Sequence, residues 1–131
     1  MVHEYPVRIY YQDTDVGGVT YHGRYIDFME RARTEMLRDL GVWDKADQAP
    51  FAVRHMEMDY YLPAKLDDHL IVTSEVTKVG GASITFKQEV LKDGNLLFSC
   101  MLTLVHLNEE FRPVRVPDKL RTVLSSGLAA D

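Results

Sequence analysis

The pattern of apolar and polar residues predicts one long helix in this chain. Between Arg24 and Leu40, apolar residues recur every three or four positions, at Tyr25, Phe28, Met29, Ala32, Met36, Leu37 and Leu40. This spacing places them on one face of a helix, and Gly41 follows where a C-terminal glycine is common. We expect the opposite face to be solvated, because it carries Asp27, Glu30, Arg31, Arg33, Glu35 and Arg38.

Most of the remaining chain alternates with a period near two, which is typical of β-strands. Tyr5 to Gln12 predicts a strand before the helix, and Val42 to Pro50 predicts a loop after it. Four further strands are predicted around Met56–Tyr60 and over Leu70–Val79, Ala82–Leu91 and Leu96–Leu107. A turn at 63–68, the pair Gly80-Gly81 and the stretch "KDGN" connect them. The last dozen residues predict a short helix or a frayed end.

This order of elements predicts a two-layer α+β domain in which an antiparallel sheet wraps the helix. The last strand is apolar on both faces, as expected for a strand that is covered on both sides. We therefore expect a second subunit to cover the remaining apolar surface, giving at least a homodimer.

Composition narrows the possible classes of protein. The chain has 131 residues, enough for one domain over 1–131, with 46% apolar and 27% charged residues. The net charge of -5 and the lack of a basic run argue against a nucleic-acid partner. No apolar run reaches the roughly 20 residues of a transmembrane helix, and "MVHEYPVRIYY" lacks a signal-peptide pattern. Cys100 is the only cysteine and is expected to be a buried thiol. Taken together, these observations lead us to expect a cytoplasmic protein.

The stretch "YYQDTDVGGVTYHGRY" concentrates the candidate chemistry just before the helix. Asp13, Asp15 and Gly18 match the opening of a calcium loop, but its twelfth position holds Arg24 where a glutamate is needed. Zinc needs three or four convergent ligands, and His22 has no close histidine or cysteine partner. We therefore expect no metal site.

Two interpretations of Asp15 remain open from the residues alone. Asp15 could satisfy free N–H groups near the helix start, with Gly17 and Gly18 permitting the turn. Alternatively, Tyr11, Asp15 and His22 together supply the groups of a reactive site. A carboxylate can act as a nucleophile or as a general base, and N–H groups at a helix start can hold an oxyanion. Such a site suits acyl transfer or thioester hydrolysis.

Three longer stretches carry a resemblance to a known family. "YYQDTDVGGVTYHGRYIDFMERARTEML", "YYLPAKLDDHLIV" and "GGASITFKQEV" closely resemble hotdog-fold acyl-CoA thioesterases of the 4-hydroxybenzoyl-CoA thioesterase type. The first stretch is similar to the Tol-Pal-associated YbgC group within that family. The resemblance covers nearly the whole chain. It implies a hotdog fold, in which a five-stranded antiparallel sheet wraps one long helix, with dimers through paired sheets and often tetramers.

The resemblance also implies roles for individual residues. The family's catalytic carboxylate falls on Asp15, while Asp13 looks like a residue that orders the loop. The backbone N–H that polarises the thioester carbonyl falls on His22, which places the helix start near Tyr21 or His22. Tyr11 and the His22 side chain are expected to orient Asp15 or the attacking water. The implied substrate-binding positions are Gly17, Gly18, Val19 and Tyr21.

The implied activity is hydrolysis of an acyl-CoA thioester to a free acid and coenzyme A, without a metal or other cofactor. The sequence leaves open whether coenzyme A or acyl carrier protein carries the acyl group. It also leaves open whether Asp15 attacks the carbonyl or activates water. Two alternatives are a hydroxyacyl-thioester dehydratase on the same fold, for which no "HFP" segment is present, and a non-catalytic subunit that binds acyl thioesters.

Overall fold

The structure is a computed structural model that describes residues 1–43, 51–126 and 128. The elements are β1 (His3–Arg8), a 3₁₀ helix (Tyr11–Asp13), α1 (Arg24–Asp39), β2 (Phe51–Tyr60), β3 (His69–Val79), β4 (Ser83–Lys92), β5 (Asn95–His106) and α2 (Asp118–Ser125). The five strands form one antiparallel sheet in the order β1-β3-β4-β5-β2. The predicted α+β architecture is therefore confirmed, with α2 as the short helix near the end.

Two predicted boundaries near the first loop are wrong. β1 ends at Arg8 rather than Gln12, because the Asp13 N–H bonds to the Tyr10 carbonyl at 2.9 Å and turns the chain into the 3₁₀ helix. Helix α1 begins at Arg24, as its periodicity predicts, and not near Tyr21 or His22. Residues 22–23 instead form a turn, closed by the Arg24 N–H bonding to the Tyr21 carbonyl at 2.9 Å.

Helix α1 packs its apolar face against the sheet. Its buried residues are Tyr25, Phe28, Met29, Ala32, Arg33 and Met36. The prediction that Arg33 lies on a solvated face is wrong, because its side chain lies beneath the helix and donates to Gln88 on β4 at 2.9 Å. Gly41 has a φ of 75°, which suits a glycine after the helix end.

The sheet is continuous through its tight turns. The Gly80 N–H bonds to the Ser83 carbonyl at 2.8 Å and closes the predicted hairpin between β3 and β4. Cys100 is buried on β5, between Gln88 on β4 and Met58 on β2. Most of the predicted loop after α1 lies outside the described residues, at 44–50.

β2 forms one edge of the sheet and pairs only with β5 within the subunit. Most of its residues are exposed, and Val53 keeps half of its side chain accessible. None of the helices in the described parts of the chain is long and apolar enough to cross a bilayer.

Candidate active site

Asp13 holds together the loop that leads into α1. Its side chain is buried, and Oδ2 accepts the Tyr10 N–H at 2.9 Å. Its backbone carbonyl accepts the Tyr21 N–H at 2.8 Å, and Arg24 Nε lies 3.5 Å from Oδ1. These contacts join both ends of the loop to the first residue of the helix, which suits the ordering role expected for Asp13.

Asp15 opens a tight turn at the surface. Its N–H bonds to the Val19 carbonyl at 2.9 Å, and its own carbonyl accepts the Gly18 N–H at 3.0 Å. Gly18 has a φ of 79°, which favours glycine because side chains crowd the backbone there. The Asp15 carboxylate is exposed and uses Oδ1 to accept the Gly17 N–H at 2.8 Å. Oδ2 has no hydrogen-bond partner among the described residues.

The start of α1 has no side-chain cap. Gly23 occupies the N-cap position and has no side chain that could accept a hydrogen bond. Within the described part of the chain, no protein oxygen accepts the N–H of His22 or of Gly23. Free N–H groups at a helix start carry partial positive charge and attract anionic oxygens. The turn at 22–23, immediately before α1, therefore offers two N–H donors to an incoming oxygen atom.

Asp15 and the start of the helix share one cleft of about 320 Å³. Its lining includes Asp15, Tyr21, Gly23, Arg24 and Asp27. The predicted carboxylate, one predicted binding residue and the uncapped helix start are thus brought together. His22 is next to Tyr21 in sequence but does not line this cleft. Its side chain is exposed, and its ring centroid lies 4.3 Å from that of Tyr21, with the ring planes tilted by 42°.

Three predicted substrate-binding residues lie in the turn beside the cleft. Gly17 and Gly18 are exposed, while Val19 is half-buried and forms a β-bridge with Lys65. Tyr11 is not brought to Asp15 within this subunit. Its side chain is 82% exposed and lines a second cleft, together with Arg8, Tyr10 and Leu66.

Three hydrogen bonds at the site were not predicted from the sequence. Arg24 donates to the Gln12 carbonyl at 3.0 Å and to Asp27 Oδ2 at 3.2 Å. A cation in the first turn opposes the helix dipole, and that mismatch is a local signal that Arg24 has specific partners. The Tyr60 hydroxyl donates to the His22 carbonyl at 2.7 Å. No local pattern reveals this bond, because 38 positions separate the two residues.

Electrostatics keep the Tyr60 hydroxyl in its donating form. Desolvation, and to a lesser extent the nearby Cys100, raise the pKa of Tyr60 above its ordinary value. The phenol therefore stays protonated at neutral pH and holds the His22 peptide in place. Among the described residues, no cluster of three or more His, Cys, Asp or Glu side chains could hold a metal ion.

Comparison with known proteins places this site in a family context. The sequence pattern of the thioesterase superfamily matches residues 17–99. The acyl-CoA thioesterase YbgC of Haemophilus influenzae is 40% identical over 122 residues, covering 89% of this chain and 90% of the relative. The acyl-CoA thioester hydrolase YbgC of Escherichia coli O157:H7 is 46% identical over 98 residues, covering 72% and 73%.

Solved structures give the same result for the fold. A probable thioesterase from Bartonella henselae superposes with a TM-score of 0.83 at 34% identity, covering 89% of this chain and 100% of that chain. A 1,4-dihydroxy-2-naphthoyl-CoA thioesterase from Synechocystis has a TM-score of 0.88 at 19% identity, over 97% and 98%, and shows likeness of fold alone. The predicted hotdog fold is confirmed. The chain belongs to the thioesterase superfamily and is a thioester hydrolase.

Proposed function

We propose that this enzyme hydrolyses acyl-CoA thioesters, with Asp15 as the reacting carboxylate. One observation carries the assignment: Asp15 lines the same cleft as the uncapped start of α1. The names of the relatives from Haemophilus influenzae and Escherichia coli support acyl-CoA as the substrate.

The chemistry follows from the two halves of the cleft. The free N–H groups of His22 and Gly23 polarise the thioester carbonyl and stabilise the oxyanion as it forms. Oδ1 of Asp15 accepts a hydrogen bond from the Gly17 N–H, so Oδ2 is the oxygen that is free to react. If Oδ2 attacks the carbonyl carbon, the thiolate leaves and water then hydrolyses the mixed anhydride. If Oδ2 takes a proton from water, hydroxide attacks the carbonyl carbon. The tetrahedral oxyanion then breaks its C–S bond and expels the thiolate, giving the free acid and coenzyme A without a covalent enzyme intermediate.

A thiol leaving group suits this arrangement because it departs as a thiolate without prior protonation. Thiols have ordinary pKa values near 8.5, so expulsion needs little help from an acid. We propose that Gly17, Gly18 and Val19 allow the substrate to approach the protein backbone closely. Tyr21 and the His22 ring would then flank the thioester.

Tyr11 needs a different account, because its side chain lies in a separate cleft of this subunit. We propose that it contacts the substrate carrier or acts in an assembled oligomer. A homodimer would form by pairing β2 with β2 of a second copy. This edge has ten residues, is largely exposed and carries no proline. Exposed edges of this kind tend to pair with another strand.

We also propose the domain organisation, location and partners of this protein. The chain acts as one domain over 1–131, in the cytoplasm and without a metal or other cofactor. Further assembly into a tetramer, a link to the Tol-Pal system and acyl carrier protein as the carrier remain predictions. Light scattering after size-exclusion chromatography tests the oligomer. Parallel assays with acyl-CoA and acyl carrier protein thioesters test the carrier.

Replacing Asp15 with asparagine tests the catalytic assignment. The variant keeps the size of the side chain and an oxygen for the Gly17 N–H, but loses the reactive carboxylate. We expect kcat for acyl-CoA hydrolysis to fall by about a hundredfold to ten-thousandfold. Release of free thiol from a panel of acyl-CoA chain lengths measures it.

Asp27→Asn is the matched comparison, because Asp27 is the other carboxylate of the cleft and already pairs with Arg24. We expect its kcat to stay within a few-fold of the wild type. A wild-type rate in Asp15→Asn, or an equal loss in both variants, would show that Asp15 is not the reacting group.

A further inference from the structure

A further cavity, separate from the Asp15 cleft and the Tyr11 cleft, lies between the C-terminal half of α1 and the sheet. Its volume is about 490 Å³, which is within the range of small-molecule sites. Its walls are mainly apolar and include Leu37, Phe51, Ile84 and Leu104. Arg33, on its helical wall, is ten positions after Gly23, and a helix rises about 1.5 Å per residue. The cavity therefore lies roughly 15 Å along α1 from the uncapped start of the helix.

Arg33 brings a cation into this apolar cavity. Its side chain is 9% exposed, and burial lowers the pKa of the guanidinium below its ordinary value. It still remains charged, because an arginine does not lose its proton in proteins. Among the described residues, no carboxylate oxygen lies within 4 Å of its nitrogens. A buried cation without a counter-ion is unfavourable, so its retention calls for an explanation.

The sheet holds the guanidinium in one orientation. Gln88 accepts one N–H of Arg33 at 2.9 Å and donates to the Met29 carbonyl at 3.0 Å and to Ser74 Oγ at 2.8 Å. A guanidinium has five N–H donors, and this contact uses one of them. The others have no protein acceptor among the described residues. Arg33 is therefore a preoriented donor on the cavity wall.

Among the described residues, no group forms an ion pair with Arg33. Glu30 also lines the cavity and its charge acts to raise the pKa of Arg33, but its carboxylate is exposed and lies more than 4 Å from the guanidinium nitrogens. Cys100 stays a neutral thiol, because desolvation raises its pKa to about 11. The combination of apolar walls and one buried cation without an ion-pair partner among the described residues suits a ligand with an apolar body and a single anionic oxygen group.

We propose that this cavity binds a carboxylic acid with an apolar tail, whose carboxylate accepts hydrogen bonds from Arg33. The tail packs against Leu104 and the other apolar walls. The ligand belongs to the same chemical class as the acid released by thioester hydrolysis. Its binding does not depend on the catalytic role of Asp15.

Trp43 gives a direct readout of the cavity. It lines the cavity and is the only tryptophan of the chain. We expect octanoate to change the Trp43 fluorescence in a saturable way, and octanol to bind at least about tenfold more weakly, since it lacks the charge-assisted bond. This comparison uses the wild-type protein and so does not depend on how any variant folds.

Three variants test the residues. Arg33→Met should weaken octanoate binding by about tenfold to hundredfold, whereas Arg31→Met, an exposed arginine on the same helix, should leave it unchanged. Leu104→Phe should weaken octanoate and octanol alike by filling the cavity. If Arg33→Met does not fold, Arg33→Lys replaces it and should retain the preference for octanoate over octanol.

The proposal is overturned if octanoate gives no saturable change, or if octanol binds as tightly as octanoate. It is also overturned if Arg33→Met and Arg31→Met behave alike. Binding is read by Trp43 rather than by hydrolysis. The binding test and the hydrolysis test are therefore independent. Octanoate can bind to a variant that has no thioesterase activity, and a fully active protein can fail to bind octanoate.

Discussion

Gln88→Met removes the only protein acceptor that the described structure gives to the buried Arg33. Methionine has nearly the same length as glutamine, so the change removes hydrogen bonds with little change in volume. Gln88 is fully buried and makes three hydrogen bonds, to Arg33, Met29 and Ser74. The Met29 carbonyl lies inside α1, where it can still accept a helical hydrogen bond. The main loss is therefore that the charged Arg33 donor is left without its acceptor.

We expect Gln88→Met to lower the free energy of unfolding by about 3 kcal/mol, since breaking a buried charged contact costs that much or more. For a chain of this size, this corresponds to a fall in Tm of roughly 10 °C. Urea unfolding followed by circular dichroism measures it. The protein concentration must be constant, because unfolding of an oligomer depends on concentration. Gln12→Met is the matched control at an exposed glutamine, with an expected change within about 0.5 kcal/mol.

The double variant Arg33→Met/Gln88→Met separates this explanation from a simple packing defect. Removing both partners leaves no unpaired cation, so the double variant should be more stable than Gln88→Met alone. A loss below about 1 kcal/mol in Gln88→Met, or strictly additive losses in the double variant, would refute the proposed dependence of Arg33 on Gln88.

Three further predictions concern single residues. Gly18→Ala should destabilise the protein by about 1 kcal/mol in urea unfolding, because φ at this position is 79°; an unchanged midpoint would show that the turn adapts without strain. For Asp68, burial acts to raise the pKa, but the Lys65 N–H at 2.8 Å and the Lys92 ammonium at 2.9 Å outweigh it and hold the pKa below its ordinary value. The stability that Asp68 contributes is therefore present above about pH 4 and is lost as the pH falls through the lower folded value, so the difference between wild type and Asp68→Asn should shrink in acid; a constant difference across that range would contradict this. Burial raises the pKa of the Cys100 thiol to about 11, so a thiol reagent at mildly alkaline pH should label the unfolded but not the native protein; rapid labelling of native protein would show that Cys100 is accessible.

Local periodicity was sufficient to predict α1 and the order of helices and strands along the chain, but not the order of the strands within the sheet. The start of α1 at Arg24 follows from its apolar spacing, because the helix buries one stripe and that stripe begins at Tyr25. The start suggested by the family resemblance is two or three residues too early, since residues 22–23 form a turn that the Arg24 N–H closes on the Tyr21 carbonyl.

At Arg33, residue spacing and side-chain charge predict opposite environments. It is four positions after Met29 and three before Met36, so its spacing places it on the buried stripe. Its charge alone suggested solvent exposure. The acceptor that makes burial possible is Gln88, which is 55 positions away and cannot be inferred from the helix. Likewise, the bond from Tyr60 to His22 depends on tertiary packing.

The missing cap at Gly23 also has a consequence for local opening of α1. A helix without a side-chain cap is less stable by about 1 kcal/mol at its first turn, so that turn opens more often than the middle of the helix. An oxygen atom bound to the His22 and Gly23 N–H groups would hold the turn that leads directly into this first helical turn. Ligand binding would then slow amide hydrogen exchange at these two residues, and the free energy gained by ordering the helix end would be part of the ligand's affinity.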